Sequence, residues 1–386
     1  MTIDFEALRR RFPLLERKTY LNSGSYCALA DSVRDAFNAY MDDRLAVGAN
    51  WDVWVTKNEA VRAAMARVLR VTPDEIAVTA SASAGINALA SALDFSGPRR
   101  RVVVSDFEFP TNAQIWHGQE RFGAEVVHVP CAADGYIPLE NFARLIDERT
   151  QLVAVTQVCF RNGARLDIAG ITRLAHERGA RVMVDCYQAI GAVTVDARAL
   201  GVDFAVGGML KYLLGTAGIG FLYVRSELVR ELVPRNTGWF AQQDIAAMDI
   251  TANRPSNTAR RFEAGTPAVV NCYAAEAGLE IILQTGTDAI EARVRALTRR
   301  CMEGLNAIGW PAVTPAEDAR RGPMVAVPAS DAAGLFAQLL QQDIVTSFRD
   351  NNIRATMHFY NSEADVDRFV AAMEAHRPRF ARQPRR

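Results

Sequence analysis

A single lysine lies inside an apolar, glycine-rich run, GGMLKYLLGTAGIG, which spans residues 207–220. An ammonium group is costly to bury, so Lys211 needs a reason to be there. One reason is chemical, because a lysine amine with a lowered pKa attacks carbonyl groups and forms Schiff bases. The other is structural, because a lysine beside glycines can extend its charged end to solvent. The run by itself leaves both interpretations open.

A carboxylate ends the apolar segment just before this run. Asp185 follows RVMV, and ligands of open α/β sheets bind beyond the carboxyl ends of their strands. A carboxylate at such a position can pair with a protonated ring nitrogen, as pyridoxal phosphate (PLP) requires of its protein partner. An ordinary helix-capping aspartate has the same sequence appearance. If the chemical interpretation holds, Asp185 and Lys211 share one crevice.

A third candidate is the serine-rich stretch TASASAGIN, residues 79–87. It follows a strand-like segment and opens a helix-like one, so Ser81, Ser83 and the free amides up to Gly85 can hold a phosphate at the positive helix end. A serine N-cap explains the stretch equally well. The glycine run GTAGIG matches neither the dinucleotide fingerprint nor a Walker loop.

The elements that position these residues alternate along the chain from Ile76. Short β-branched runs are separated by amphipathic segments, which predicts an α/β fold with a mainly parallel sheet covered on both faces. The predicted strands are IAVTA, RVVVSD, AEVVHVP, QLVAVTQV, RVMVDCYQ, FAVGG and IGFLYV. After about residue 280 the pattern changes to long helical segments around short strands. We predict an N-terminal helical segment (1–18), a large domain (19–280) and a small C-terminal α/β domain (281–386).

Composition limits the classes of ligand that the chain is expected to bind. The 44 basic and 44 acidic residues cancel, which removes the electrostatic argument for nucleic acid or membrane partners and favours a small molecule. The N-terminal residues lack the apolar core of a signal peptide, so we expect a cytoplasmic protein. Six cysteines and five histidines show no metal-ligand spacing, so we expect no metal site.

Taken in order, these motifs resemble one family. The Asp-x-x-Gln after a strand, the glycine-led lysine segment, the serine-rich turn and RRFEAGTP are similar to class V aminotransferases, the fold-type I PLP enzymes that include cysteine desulfurases and kynureninases. The likeness runs from YLNSGSY near residue 20 to FYNSEADVDRF near residue 369. It implies a large PLP-binding domain with a mainly parallel central sheet, followed by a smaller C-terminal α/β domain.

The resemblance assigns expected roles around the cofactor ring. It implies that Lys211 carries PLP as a Schiff base and that Asp185 keeps the pyridine nitrogen protonated, so that the ring accepts electrons. Gln188 is expected to hydrogen-bond the phenolic oxygen. Phe109, in EFPTN, is similar to the aromatic residue that stacks on the ring in kynureninases.

The resemblance also assigns the phosphate and the oligomer. Ala82 and Ser83 are expected at the cofactor phosphate, completed by Gly265 and Thr266 from a neighbouring subunit, which implies a homodimer with shared active sites. The segment before the lysine, GML, lacks the serine or histidine that desulfurases use there, so other groups must hold the phosphate. Trp239 either reaches the phosphate across the dimer or packs in the interface.

Substrate-binding residues follow from the same likeness. Arg354, in NNIRATMHFYN, matches the arginine that binds the substrate α-carboxylate in a bidentate pair. Asn22, Ser23 and Ser25 fall where the N-terminal loop of the family borders the substrate. Arg349 is either a contact for a second carboxylate or an ordinary surface charge.

We therefore predict a PLP-dependent aminotransferase acting on an amino acid. The alternatives are a β-lyase, of the kynureninase or C–S lyase kind, and an epimerase, because all these enzymes use the same cofactor and the same active-site residues. Kynureninase activity is disfavoured by Leu210, where that family has tyrosine, and by Gln188 in place of histidine. A persulfide-type cysteine desulfurase is disfavoured because no cysteine follows Cys301.

Two hypotheses lie outside this class. A dinucleotide-binding oxidoreductase requires a glycine fingerprint after the first strand, which TASASAGIN does not supply. A catalytically silent family fold that only binds a partner is opposed by the presence of Lys211, Asp185 and Arg354 together.

Overall fold

The middle of the chain forms a seven-stranded sheet in the computed structural model, which describes residues 3–381. Two smaller sheets use the ends of the chain. The strands, in chain order, are β1 (Thr19–Tyr20), β2 (Ile76–Thr79), β3 (Arg101–Ser105), β4 (Glu125–Val129), β5 (Thr150–Thr156), β6 (Arg181–Asp185), β7 (Phe204–Gly208), β8 (Gly220–Val224), β9 (Met324–Pro328), β10 (Ile344–Val345), β11 (Ser347–Arg349) and β12 (Asn352–Thr356).

Helices lie between and beside these strands, and those between β2 and β6 occupy the amphipathic segments that the sequence predicted. They are α1 (Phe5–Arg9), α2 (Asp31–Ala46), α3 (Trp51–Leu69), α4 (Ala82–Ala92), α5 (Pro110–His117), α6 (Leu139–Leu145), α7 (Ile168–Glu177), α8 (Ala197–Leu200), α9 (Ser226–Val229), α10 (Val269–Thr285), α11 (Thr287–Ala307), α12 (Ala332–Gln341) and α13 (Glu363–Phe380). The fold is α/β, as the sequence predicted.

The large sheet has the order β2-β8-β7-β6-β5-β3-β4. Every neighbouring pair from β7 to β4 is parallel, whereas β8 runs antiparallel to both β7 and β2. Parallel strands need crossover connections, and the amphipathic segments provide them. The reversed strand β8 follows the lysine run directly, so that run makes a turn rather than a crossover.

Both faces of this sheet are covered, which explains why its strands read as continuous apolar runs. Along β5, Leu152 and Ala154 pack into one hydrophobic cluster, while Val153 and Val155 pack into the cluster on the opposite face. All four side chains are fully buried. Successive side chains of a strand point to opposite faces, so a strand between two helical layers must be apolar at each position.

The C-terminal region builds a separate antiparallel sheet, with the order β11-β12-β9. Its own hydrophobic cluster gathers residues of α11, α12 and α13 and also takes in Leu21 from near the N-terminus. The short strand β1 pairs in parallel with β10, so the N-terminal segment is tied to the C-terminal region. The predicted domain limits at residues 18 and 280 stay a prediction.

The carboxyl ends of β5 and β6 lie side by side. Thr156 and Asp185 are partners in the register of these strands, and the Gln157 amide donates to the Asp185 carbonyl just beyond them. The strand β7 lies on the other side of β6 and leads to Lys211. Topology therefore brings the carboxylate and the lysine to one edge of the sheet.

A buried ion pair fixes the segment RRFEAGTP against the sheet. Arg62 of α3 lies 2.6 Å from the Glu263 carboxylate, and both side chains are at least 96% buried. The same carboxylate oxygen accepts from the Val78 amide, and the Arg62 guanidinium also donates to the Ile76 carbonyl. The Nε and Nη2 groups of Arg62 donate to Glu59, whose side chain is 46% exposed.

We expect Glu263→Ala to lower the free energy of unfolding by about 3–5 kcal/mol, because it leaves the Arg62 charge buried without its main partner. The matched variant Glu59→Ala removes a carboxylate from the same guanidinium at the surface, where the cost is about 0–1 kcal/mol. Urea unfolding of both variants measures the difference. Equal losses would mean that burial does not distinguish the two carboxylates.

Candidate active site

Lys211 follows the end of β7 in a turn that places its amine against an aromatic ring. The Nζ atom lies 4.1 Å from the centre of the Tyr187 ring and 6.0 Å from that of Phe109. Burial lowers the pKa of the Lys211 amine to about 8, with Asp185 opposing this shift and Arg354 adding to it. Among residues 3–381 the amine has no hydrogen-bond acceptor, so it is held by ring contacts and charge alone.

Asp185 is buried at the end of β6 and faces the same cavity. Burial raises the pKa of its carboxyl group, while the Tyr187 amide and the Lys211 charge act in the opposite direction. One oxygen, Oδ1, accepts from the Tyr187 amide at 2.9 Å. A buried carboxylate with so little compensation favours a cationic partner, which is what a protonated pyridine nitrogen supplies.

A cavity of about 280 Å³ joins these two groups and lies between the sheet edge and the first turn of α4. This volume is just below the range for ligand pockets, roughly 300–1,000 Å³. Its walls are formed by Ser25, Ser81, Ala82, Ser83, Ile86, Phe109, Thr111, Thr156, Val158, Phe160, Asp185, Tyr187, Gln188, Leu210 and Lys211. The structure thus brings together seven of the twelve residues predicted for the site.

The start of α4 forms one end of this cavity. Ser81 is the N-cap of the helix, and its hydroxyl accepts from the Ala84 amide at 3.1 Å. The amides of Ala82 and Ser83 and the Ser83 hydroxyl have no partner within the described chain. Capping by Ser81 therefore leaves the amides of the next two residues free, as an anion-binding helix start requires.

Phe109 and Phe160 form an aromatic wall. Their rings meet edge to face, with centres 5.2 Å apart, and the Phe109 side chain is 47% exposed. Behind this wall Glu108 is buried between Ser105, Asn112 and the Thr156 amide. Burial raises the pKa of the Glu108 carboxyl to about 8, and the nearby Asp185 charge adds to the shift. Sequence reasoning missed Glu108, Phe160 and Tyr187.

The N-terminal loop closes the cavity from the side of Gln188. The Gln188 amide donates to the Gly24 carbonyl at 3.0 Å, while its own Oε1 atom is buried without a partner. Ser25 lines the cavity, whereas the Ser23 hydroxyl is 2.6 Å from the Tyr360 hydroxyl and faces the core. Asn22 pairs its backbone with Thr356, and its Oδ1 atom is also buried and unpartnered.

Arg354 stands behind Phe160 and is not part of the cavity wall. Its guanidinium donates to the Phe160 carbonyl and, at 3.1 Å, to the Ser347 hydroxyl, while Nε is buried without a partner. The arginine is 5% exposed, and its charge reaches the Lys211 amine. Arg349, two residues from Ser347 on the same strand face, is exposed and has no ion pair among residues 3–381.

Gly265 and Thr266 lie away from Lys211 within one chain. They are exposed and line a separate cavity of about 450 Å³ together with Thr237 and Asn236. Trp239 is packed against Trp51 at 5.6 Å between ring centres, and its indole N–H donates to the Ile245 carbonyl. A single chain therefore does not bring the EAGTP segment to the Lys211 cavity.

The residues present fit PLP. The aldehyde requires a neutral amine, and the Lys211 amine has a pKa lowered to about 8. The ring nitrogen requires a carboxylate, the phosphate requires free N–H groups, and Asp185 and the start of α4 supply them at different parts of one cavity. The unpartnered amide oxygen of Gln188 marks a polar group that the protein alone does not satisfy.

Comparison with known proteins decides the family. The model of the family described as "Aminotransferase class-V" matches residues 50–369. The chain belongs to the class V aminotransferase family. It is a fold-type I enzyme that depends on PLP. None of the described helices is long and apolar enough to cross a membrane.

Individual family members resemble the chain over most of its length. The Bacillus subtilis protein YcbU, named an uncharacterized aminotransferase, is 33% identical over 94% of this chain and 95% of its own. A kynureninase of Deinococcus radiodurans is 34% identical over 83% of this chain and 78% of its own. The structure of a cysteine desulfurase from Thermococcus onnurineus superposes with a TM-score of 0.87 at 24% identity, over 97% of this chain and 98% of that one.

The lowered pKa of Lys211 predicts how the protein without cofactor reacts with an aldehyde. Trapping by pyridoxal and borohydride should rise with pH to half its maximum near pH 8, because only the neutral amine attacks. Arg354→Gln removes a positive neighbour and should move the midpoint upward. Mass spectrometry of the modified peptide measures both profiles, and Lys211→Ala should abolish the modification. A midpoint near that of free lysine would contradict the predicted shift.

Proposed function

We propose that this enzyme is an aminotransferase that acts on an amino acid through a Schiff base on Lys211. The observation that carries the proposal is the pairing of Lys211 and Asp185 across one cavity, with the amine made neutral by burial at a mildly alkaline pH. Lys211 offers the amine to which the PLP aldehyde can attach, and Asp185 offers a negative charge for the protonated pyridine nitrogen.

The residues of the chain then have defined tasks. PLP, when bound, withdraws electrons from the α-carbon of an attached amino acid. The Asp185 carboxylate would hold the proton on the pyridine nitrogen, and Gln188 would orient the phenolic oxygen. The Lys211 amine would take the proton from the substrate α-carbon and could return it elsewhere. The Phe109 and Phe160 rings limit the access of water to this proton.

Arg354 is the proposed anchor of the substrate α-carboxylate. Its guanidinium is oriented by the Phe160 carbonyl and the Ser347 hydroxyl, which fixes the fork before a substrate arrives. The buried Nε has no partner in the protein. A planar carboxylate matches the geometry of such a fork and would offset its positive charge.

Two observations support transamination, the first from a relative and the second only against cysteine desulfuration. The Bacillus subtilis relative, which is 33% identical over 94% of this chain, is named an uncharacterized aminotransferase, whereas two cysteine desulfurases are 28–29% identical over 97% of the chain. In addition, none of the six cysteines lines the Lys211 cavity, and burial raises the pKa of the two nearest along the chain, Cys159 and Cys186. A sulfur-accepting thiolate is therefore not supported.

A β-lyase is the second candidate, and two observations favour it. The chain is 34% identical to a kynureninase, and Phe109 lies on the cavity wall where an aromatic residue can stack on the cofactor. Leu210 and Gln188 also line the cavity, so both departures from the kynureninase motif fall at the reacting centre itself.

The proposed enzyme is a homodimer with shared sites. Gly265 and Thr266 are exposed, line a different cavity from Lys211 and are held in place by the buried Glu263. This arrangement supports the expectation that they complete the phosphate site of a partner subunit.

The first test follows the visible absorbance of the holoenzyme while amino acids are added without a keto acid. An aminotransferase should lose the absorbance of the bound cofactor lastingly and release about one equivalent of keto acid per site. Arg354→Gln should retain the cofactor but raise the KM for every amino acid about ten-fold or more. Recovery of the absorbance with continued product release would instead identify a lyase or an epimerase.

The second test is complementation between two inactive variants. Lys211→Ala lacks the attachment point, and Thr266→Asp places a carboxylate where the partner would need a phosphate contact. If the sites are shared, an equal mixture unfolded and refolded together should recover about a quarter of the wild-type activity, because half of the dimers carry one intact site of two. No recovery, with dimers present by light scattering, would contradict shared sites.

A further inference from the structure

The ring of Tyr187 occupies space that any side chain at position 208 would need. A Cβ built on Gly208 would overlap both Cε2 and the hydroxyl oxygen of Tyr187. Gly208 is the last residue of β7 and lies fully inside the sheet, so the strand cannot move aside. Glycine is therefore required at this position by the close approach of the tyrosine ring.

The hydroxyl end of this ring lies toward the start of α4. Gly208 is paired with Gly220 of β8, and residues directly opposite in an antiparallel pair face the same side of the sheet. A Cβ at Gly220 would lie 2.9 Å from the Ala82 amide nitrogen. The side of the sheet that Tyr187 covers is therefore the side against which the Ala82 amide, at the start of α4, is packed.

The Tyr187 hydroxyl is available as a donor. Tyr187 lines the Lys211 cavity, and its hydroxyl makes no hydrogen bond with any residue from 3 to 381. Burial raises the pKa of Tyr187, with the Asp185 charge adding to the shift, so the phenol keeps its proton at physiological pH. A phenol that touches a cavity beside free helix amides is suited to donate to an anion.

We propose that the Tyr187 hydroxyl donates a hydrogen bond to the phosphate of PLP, beside Ser83 and the first amides of α4, and that Gly208 is the residue that makes room for it. The inference rests on the proposed placement of the cofactor in the Lys211 cavity. The residues just before Lys211 offer no hydroxyl or imidazole to the phosphate, and the Tyr187 hydroxyl would take the place of these groups.

A second role for Tyr187 has to be separated from this one. Its ring contacts the Lys211 amine at 4.1 Å, so the tyrosine also forms a wall of the cavity. The wall depends on the ring and the proposed donor depends on the hydroxyl. Tyr187→Phe removes only the hydroxyl, and pyridoxal, which lacks the phosphate, serves as the matched ligand.

The experiment measures non-covalent binding in a Lys211→Ala background, where no catalysis contributes. Cofactor-free protein is titrated with PLP or with pyridoxal, and quenching of tryptophan fluorescence reports binding. Adding Tyr187→Phe should weaken PLP binding about ten-fold or more, as expected for a hydrogen bond to a charged group, and should leave pyridoxal binding unchanged. An equal loss for both ligands, or no loss for PLP, would overturn the proposal.

A rescue variant adds an independent test. Tyr187→Ala in the same background should weaken PLP binding and also open the space above residue 208. Adding Gly208→Ser then places a hydroxyl on the strand at the same end of the cavity and should recover PLP affinity by several-fold, whereas Gly208→Ser alone collides with the Tyr187 ring. Thermal unfolding of each variant confirms that it is folded. The proposal would be contradicted if adding Gly208→Ser to Tyr187→Ala raised the affinity for pyridoxal as well. It would also be contradicted if this combined variant were folded and its affinity for PLP did not rise.

Failure of this inference and failure of the proposed function are distinguishable. If wild-type protein reduced with borohydride in the presence of PLP carries no label on Lys211, the proposed function is wrong whatever Tyr187 does. If Lys211 is labelled and Tyr187→Phe leaves PLP affinity unchanged, the function stands and the phosphate is held by other groups.

Discussion

The structure depends on keeping two ionisable groups out of water at the same edge of one sheet. Asp185 and Lys211 each resist ionisation when buried, and each carries the charge that the other lacks. Neither has a close ionic partner elsewhere in the described chain, so the cavity between them is polar at its ends and apolar along its walls. Such a site is complementary to a ligand that carries both a cationic ring and an electrophilic carbon.

Segments that are distant along the chain enclose this cavity. The N-terminal loop contributes the Gly24 carbonyl to Gln188, and the C-terminal sheet places Arg354 behind Phe160. These contacts join residues more than 160 positions apart. The pairing of β1 with β10 ties the loop to the C-terminal region, so movement of that region would alter both walls together.

The position of Tyr187 links two segments of the site that are distant along the chain. A bulky ring between Asp185 and Gln188 is compatible with the fold only because residue 208 has no side chain. The same two residues bring a phenol toward the amides at the start of α4. Residues 187 and 208, which belong to separate motifs of the sequence, are thus neighbours in space.

The sequence alone determined the alternation of strands and helices, the class of the fold and the expectation that Asp185 and Lys211 meet. It did so because hydrophobic periodicity is local and because the carboxyl ends of parallel strands share one edge. It did not determine that β8 inserts in reverse, that Arg354 is oriented by Phe160, or that Tyr187 fills the space over Gly208. Those features depend on strand order and side-chain rotation between distant segments, which only the tertiary structure decides.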